Sequence, residues 1–69
     1  MSADNYHRIT EGYDGHWWVS HGFASNDKED ETLIGIASSL EEATRMAQDH
    51  GDTEYGITID FLNRTWSDA

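Results

Sequence analysis

The chain has no cysteine and only one lysine, and nowhere does it carry a long apolar run. Without cysteine there is no disulfide framework, no thiolate zinc site and no cysteine nucleophile, and an intracellular setting is the natural expectation. No apolar stretch approaches the roughly 18 residues of a membrane span, and the opening "MSADNYHRIT" lacks the basic and apolar regions of a signal peptide. A soluble, cytoplasmic protein is expected. Cations are scarce as well: four Lys and Arg stand against 14 Asp and Glu, a formal net charge of −10. A field of that sign repels nucleic acid and anionic membranes and attracts basic surfaces, so neither direct nucleic-acid binding nor membrane binding is expected.

What is present belongs to a folded chain. Sixty-nine residues make one domain with one small core, and a chain this short buries only about 60% of its unfolded surface, which leaves little room for an enclosed active site. Eight aromatics and a regular apolar pattern separate it from disordered acidic chains. The domain is expected over residues 6–62, with a flexible N-terminus at 1–5 and a tail at 63–69 whose Trp66 can pack back onto the sheet.

Two β-rich runs, Tyr6 to Glu11 and His16 to Phe23, flank Asp14-Gly15, a strong hairpin signal. A two-residue loop would set Thr10 against Val19. A three-residue loop at 13–15 instead pairs Ile9 with Val19 and Glu11 with Trp17, which gathers apolar residues on one face and puts Gly15 at a left-handed position without steric penalty. In that register Ile9, Trp17, Val19 and Phe23 face the core, and Trp18 and Ser20 point the other way.

"TLIGIA", around Leu33 to Ala37, reads as a short third strand weakened by Gly35. "SSLEEATRMAQDHG" reads as a helix: Ser39 and Glu42 form a capping box, acids occupy the first turn, and Gly51 supplies a left-handed stop. Leu40, Ala43, Met46, Ala47 and His50 share one side. Glu41, Arg45 and Asp49 lie four apart on another and can form ion pairs of a few tenths of a kcal/mol. In "TEYGITIDFL", Tyr55, Ile57, Ile59 and Phe61 alternate with polar residues and glycine, the period of a half-buried strand. The predicted fold is α+β: a small antiparallel sheet made of the hairpin, the short third strand and the C-terminal strand, with one helix packed on one face.

No Walker loop, GxSxG, dinucleotide fingerprint or HExxH spacing occurs, so neither an enzyme nor a cofactor is expected. His7 and His21 stand opposite one another in the preferred register. Two imidazoles without a placed third ligand make a poor metal site, and a solvent-facing pair is the simpler expectation. His50 suits a helix C-terminus or the edge of the core. Trp17 and Trp18, as strand neighbours, point to opposite faces, so both cannot lie under one helix. Trp18 is either an interface anchor or a ring that is covered by the tail or lies flat on the open sheet face.

The acids concentrate in "ASNDKEDETLIG", where Asp27, Glu29, Asp30 and Glu31 surround one lysine, and along the helix and its exit at Glu41, Glu42, Asp49, Asp52 and Glu54. Helix acids three or four apart sit about 5–6 Å from one another. Duplex DNA carries a charge every 1.7 Å or so of its axis, so spaced carboxylates can stand in for phosphates at a basic groove. Proteins of salt-loving cells are also acidic and lysine-poor, and there the charge serves hydration alone.

By size, charge, lack of catalytic motifs and simple α+β layout, the chain resembles the small acidic proteins that phages and mobile elements encode against host defence, in particular anti-CRISPR proteins acting as DNA mimics. Through "GHWWVS", "SLEEATRMA" and a closing strand, residues 6–62 are also similar to small uncharacterised bacterial hairpin-helix-strand domains. The first resemblance implies a stoichiometric inhibitor, at work in the cytoplasm of a host cell, and a monomer is expected. It would occupy the basic nucleic-acid-binding surface of a defence protein, such as a CRISPR effector subunit, through the nine acids just named. The alternative is a small accessory interaction domain that uses the exposed sheet face, with Trp18 as its anchor and acidity serving solubility.

Overall fold

The computed structural model describes residues 4–62. Its elements follow in the order β1 (Asn5–Glu11), β2 (Trp17–Phe23), a 3-10 turn (Lys28–Asp30), β3 (Thr32–Ala37), α1 (Leu40–His50) and β4 (Ile57–Asp60). The strands form one sheet in the order β3-β2-β1-β4, and α1 lies across β1, β2 and β3, so the α+β class is as the sequence indicates.

The hairpin takes the three-residue loop. Ile9 pairs with Val19 and Glu11 with Trp17, the Gly12 N–H donates to the His16 carbonyl at 2.7 Å, and Gly15 has φ +86°. Asp14 steadies the turn by accepting the His16 N–H at 3.1 Å. β1 begins one residue earlier than expected. Asp4 and Asn5 are held in place: the Asp4 carbonyl accepts the Ala24 N–H, the Asp4 carboxylate accepts the Ser25 N–H, and Asn5 opens the strand. Trp66 and the rest of 63–69 lie outside the described residues.

The sheet is mixed, not antiparallel throughout. β4 pairs in parallel with β1, setting Ile57 beside His7 and Ile59 beside Ile9. The cause is α1, whose 11 residues span roughly 16 Å and carry the chain back along the sheet before β4 begins, so β4 must run the way β3 ran. The last strand is also shorter than its alternation suggests. Gly56 has φ +77°, a left-handed conformation that breaks the strand before Ile57, and Tyr55 is exposed in the bend.

β3 is a full strand with a bulge. Val19 pairs with Gly35 and Ser20 with Leu33, which leaves Ile34 as the extra residue. That residue reverses the facing of what precedes it, turning Ile34 to the core and Leu33 to the open side, where Ile36 also lies.

Between α1 and the sheet, Ile9, Val19, Ala37, Ala43 and Ala47 are buried, with Trp17, Ile34, Leu40, Met46, Ile57 and Ile59 packed around them. Burying Ile9 and Val19 contributes about 1.5–3 kcal/mol each, and the two helix alanines let α1 approach the sheet closely. Phe23, beyond the helix, is half exposed. Ser39 caps α1 by accepting the Glu42 N–H at 3.1 Å, while the Glu42 carboxylate accepts both the N–H and the hydroxyl of Ser38. The helix ends at Gly51 with φ 139° and ψ 167°, an extended mirror-image conformation and not the expected left-handed turn.

Candidate functional site

Chain direction gives the sheet two ends. Asn5, Phe23 and Thr32 lie at one, together with the C-terminus of α1, because His50 touches His7 and His21. Asp27, Glu29 and Asp30 occupy the loop that joins Phe23 to Thr32 at this end. Asp49, Asp52 and Glu54 arrive there with the helix terminus and its exit, which is tied down where Glu54 N–H donates to Asn5 Oδ1 at 2.9 Å and Tyr55 N–H to the Asn5 carbonyl at 3.0 Å. All six carry exposed side chains. Among the described side chains, Glu31 and Asp60 form ion pairs with Arg8, and Asp14 Oδ1 lies 3.2 Å from His16 Nδ1.

The remaining acids of the predicted surface sit elsewhere. Glu41 and Glu42 are in the first turn of α1 at the hairpin end, where hydrogen bonds from Ser38 hold the Glu42 carboxyl below its usual range. Glu31 departs furthest from the expected solvated acid, because its side chain is only 12% exposed. It lies on the open face across from Gly22, accepting the Tyr6 hydroxyl at 2.6 Å and Arg8 Nε at 2.9 Å. The other arm of Arg8 donates to Asp60 at 2.7 Å, and the guanidinium stands 5.5 Å from the Tyr6 ring centroid. Glu31 raises the Tyr6 and Arg8 pKa values alike, by favouring the phenol that donates to it and the cation that pairs with it. A Cβ at Gly22 would fall 2.7 Å from both the Tyr6 hydroxyl and Glu31 Cγ. A glycine opposite a tyrosine, one residue before the acidic loop, is the sequence signal that marks this site.

His7 and His21 are opposite one another as expected, but they do not face solvent. His7 is 1% exposed and lies under the end of α1. Its Nε2 is 3.0 Å from His50 Nδ1, so one ring donates and the other accepts. The His21 ring lies 5.3 Å from that of His7 and 5.1 Å from that of His50, and its Nε2 is 3.1 Å from Asn5 Nδ2. Burial, then the neighbouring His50 and His21, holds the His7 pKa below the ordinary imidazole value. This contact ties three elements together, and the part of His50 in it is not readable from spacing alone. No group of three His, Cys, Asp or Glu side chains among the described residues is arranged to hold a metal ion.

On the open face Trp18 is 43% exposed beside Leu33 and Ile36, each 49% exposed. Next to Trp18, at the hairpin loop, a groove of about 620 Å³ is lined by Thr10, Glu11, Tyr13, Asp14, Trp18 and Leu62, among others. No helix among the described residues is long and apolar enough to cross a membrane. Set against protein-family models, curated proteins and solved structures, the chain matches none of them.

Proposed function

We propose that the chain is a non-enzymatic, monomeric inhibitor that works in the cytoplasm and covers the basic nucleic-acid-binding surface of another protein, as a DNA mimic would. The observation that carries this reading is the gathering of Asp27, Glu29, Asp30, Asp49, Asp52 and Glu54 at one end of the sheet, on two segments far apart in sequence. The resemblance to phage anti-CRISPR proteins names the partner class: a defence effector whose groove would otherwise hold duplex DNA. Glu31 does not belong to this surface, and Glu41 and Glu42 lie at the opposite end.

The test starts from capture of the effector out of a host carrying CRISPR or restriction systems, followed by affinity measurements on the purified pair. Exposed ion pairs are worth about 0–1 kcal/mol each, so single neutralisations are nearly silent and the six together weaken the complex by several kcal/mol. Binding also falls with rising salt and competes with duplex DNA. A second reading rests on Trp18, Leu33 and Ile36 lying exposed on one face: an accessory domain anchored by Trp18. Tight binding by the six-fold variant, together with complete loss on Trp18→Ala, would replace the first reading with the second.

A further inference from the structure

The groove beside the hairpin loop combines two kinds of chemistry. Its aromatic walls are Trp18 and Tyr13, the latter 93% exposed, and its carboxylates are Glu11 and Asp14. Thr10 and Leu62 complete the rim on either side. The Trp18 indole lies against the loop at Gly12, where an added Cβ would fall 2.8 Å from its Nε1. Glu11 is held by accepting the Leu62 N–H at 3.1 Å through one oxygen, and Asp14 by accepting the His16 N–H at 3.1 Å. A carboxylate can accept at both of its oxygens, so neither group is exhausted by these contacts.

Each class of occupant can be weighed on that lining. An anion would meet two carboxylates. A purely apolar segment would desolvate both carboxylates while leaving the second oxygen of each without a partner, which costs more than the aromatic contact returns. A cation satisfies both features, through attraction to the aromatic faces and pairing with the acids. Between the two cationic side chains of an unmodified peptide that stay charged at neutral pH, arginine fits better. Its guanidinium is planar and weakly hydrated, stacks on an indole and forks onto a carboxylate, whereas an ammonium is a compact, strongly hydrated point charge. The volume lies within the usual range for ligand sites and exceeds one side chain, which leaves room for the residues flanking it.

We propose that this groove is a binding site for an arginine side chain presented by a basic partner peptide, with the guanidinium stacked against Trp18 and Tyr13 and paired with Glu11 and Asp14. The site is at the hairpin end of the open face and needs neither the acidic end nor nucleic-acid mimicry.

The experiment is a nitrogen-15 NMR titration of the full chain with acetyl-Gly-Arg-Gly-amide and with the same peptide carrying citrulline, which keeps the shape and removes the charge. The arginine peptide should saturably shift the amides of Gly12 and Tyr13 and the indole N–H of Trp18, with citrulline at least about tenfold weaker. Trp18→Ala should weaken binding about tenfold and Tyr13→Ala about threefold. Tyr13 is so exposed that its removal leaves the fold intact, so the second variant stays informative if the first unfolds. Equal binding of the citrulline peptide would make the groove a neutral docking site and overturn the proposal. So would shifts centred on Asp27 and Asp52 that survive Trp18→Ala, contacts from residues 63–69 already seated on Trp18 that the peptide does not displace, or no saturable shift.

Discussion

His7 and Arg8 are neighbours in β1 and point to opposite faces of one sheet, and the sheet treats them in opposite ways. His7 lies under α1 with two other imidazoles around it, and burial favours its neutral form. Arg8, on the open face, is gripped by Glu31 and Asp60, and its charged form is favoured. Where the helix excludes water, stability comes from apolar area and charge is kept out. Where no helix lies, a buried-stem cation and two carboxylates organise the surface, and Trp18 stays partly exposed.

The largest effect should come from the covered face. Ile9 is fully buried between Val19, Ile59 and the helix, so Ile9→Ala should cost about 2–5 kcal/mol, enough to unfold much of so small a domain at room temperature. Urea unfolding followed by far-UV circular dichroism measures it. A loss well under 1 kcal/mol would mean the helix does not seal that face.

On the open face the largest loss should follow Glu31→Ala, at about 1–3 kcal/mol, since it removes the carboxylate that accepts from both Tyr6 and Arg8 and leaves Asp60 as the carboxylate on Arg8. It should also return the Tyr6 phenol towards its ordinary pKa, read by ultraviolet absorbance between pH 9 and 12. Glu31→Gln separates the two effects: the amide can still accept the Tyr6 hydroxyl, so the loss should be smaller while the charge contribution to Arg8 disappears. A Tyr6 titration indifferent to both variants would remove the network from the account.

These two sites differ in how far they can be read from residues alone. The hairpin is legible because Asp14-Gly15 and the alternation of Ile9, Trp17 and Val19 admit one register that gathers apolar groups. The helix is legible through Ser39, Glu42 and its apolar side. The parallel pairing of β4 is not, because the alternation of Ile57 and Ile59 names a strand and leaves its neighbour open. The histidine contact depends on how α1 crosses the sheet, which brings His50 back over His7, 43 residues earlier in the chain. Glu31 is hidden for a local reason. It closes a run of acids of uniform appearance, and only its position across from Gly22 and beside Tyr6 turns it inward from the loop.

The covered face should also respond to pH in its own window. The folded-state pKa of His7 lies below the unfolded value near 6.5, so as pH falls the unfolded chain takes up the proton first. Stability from this group is therefore complete above about pH 6.5 and declines below it, by at most about 1.4 kcal/mol per pH unit per proton, until His7 itself protonates in the fold. The net charge of −10 acts in the other direction, since acidification relieves carboxylate repulsion. The ring protons of His7, followed by NMR, isolate the first effect and should titrate below 6.5. His50→Gln should move that titration upward by removing the nearest imidazole. A His7 that titrates at or above 6.5 would mean its ring is not sealed beneath the helix.

The smallest effect on stability is expected at the acidic end, and that smallness is informative. Asp27, Glu29 and Asp30 are exposed in the loop before β3, and none of the three packs against the core. Replacing them together by Asn, Gln and Asn should raise the unfolding free energy, by no more than about 0.5 kcal/mol, because crowded like charge is diluted. Raising the salt concentration should stabilise the parent protein more than this variant, since screening then does part of what neutralisation has already done. A loop that is silent in stability but large in its effect on binding is carrying charge for a partner. If the same substitutions instead destabilise the fold by about 2 kcal/mol or more, the loop acids are structural in the way Glu31 is, and the contrast between an inward-turned Glu31 and its outward neighbours disappears.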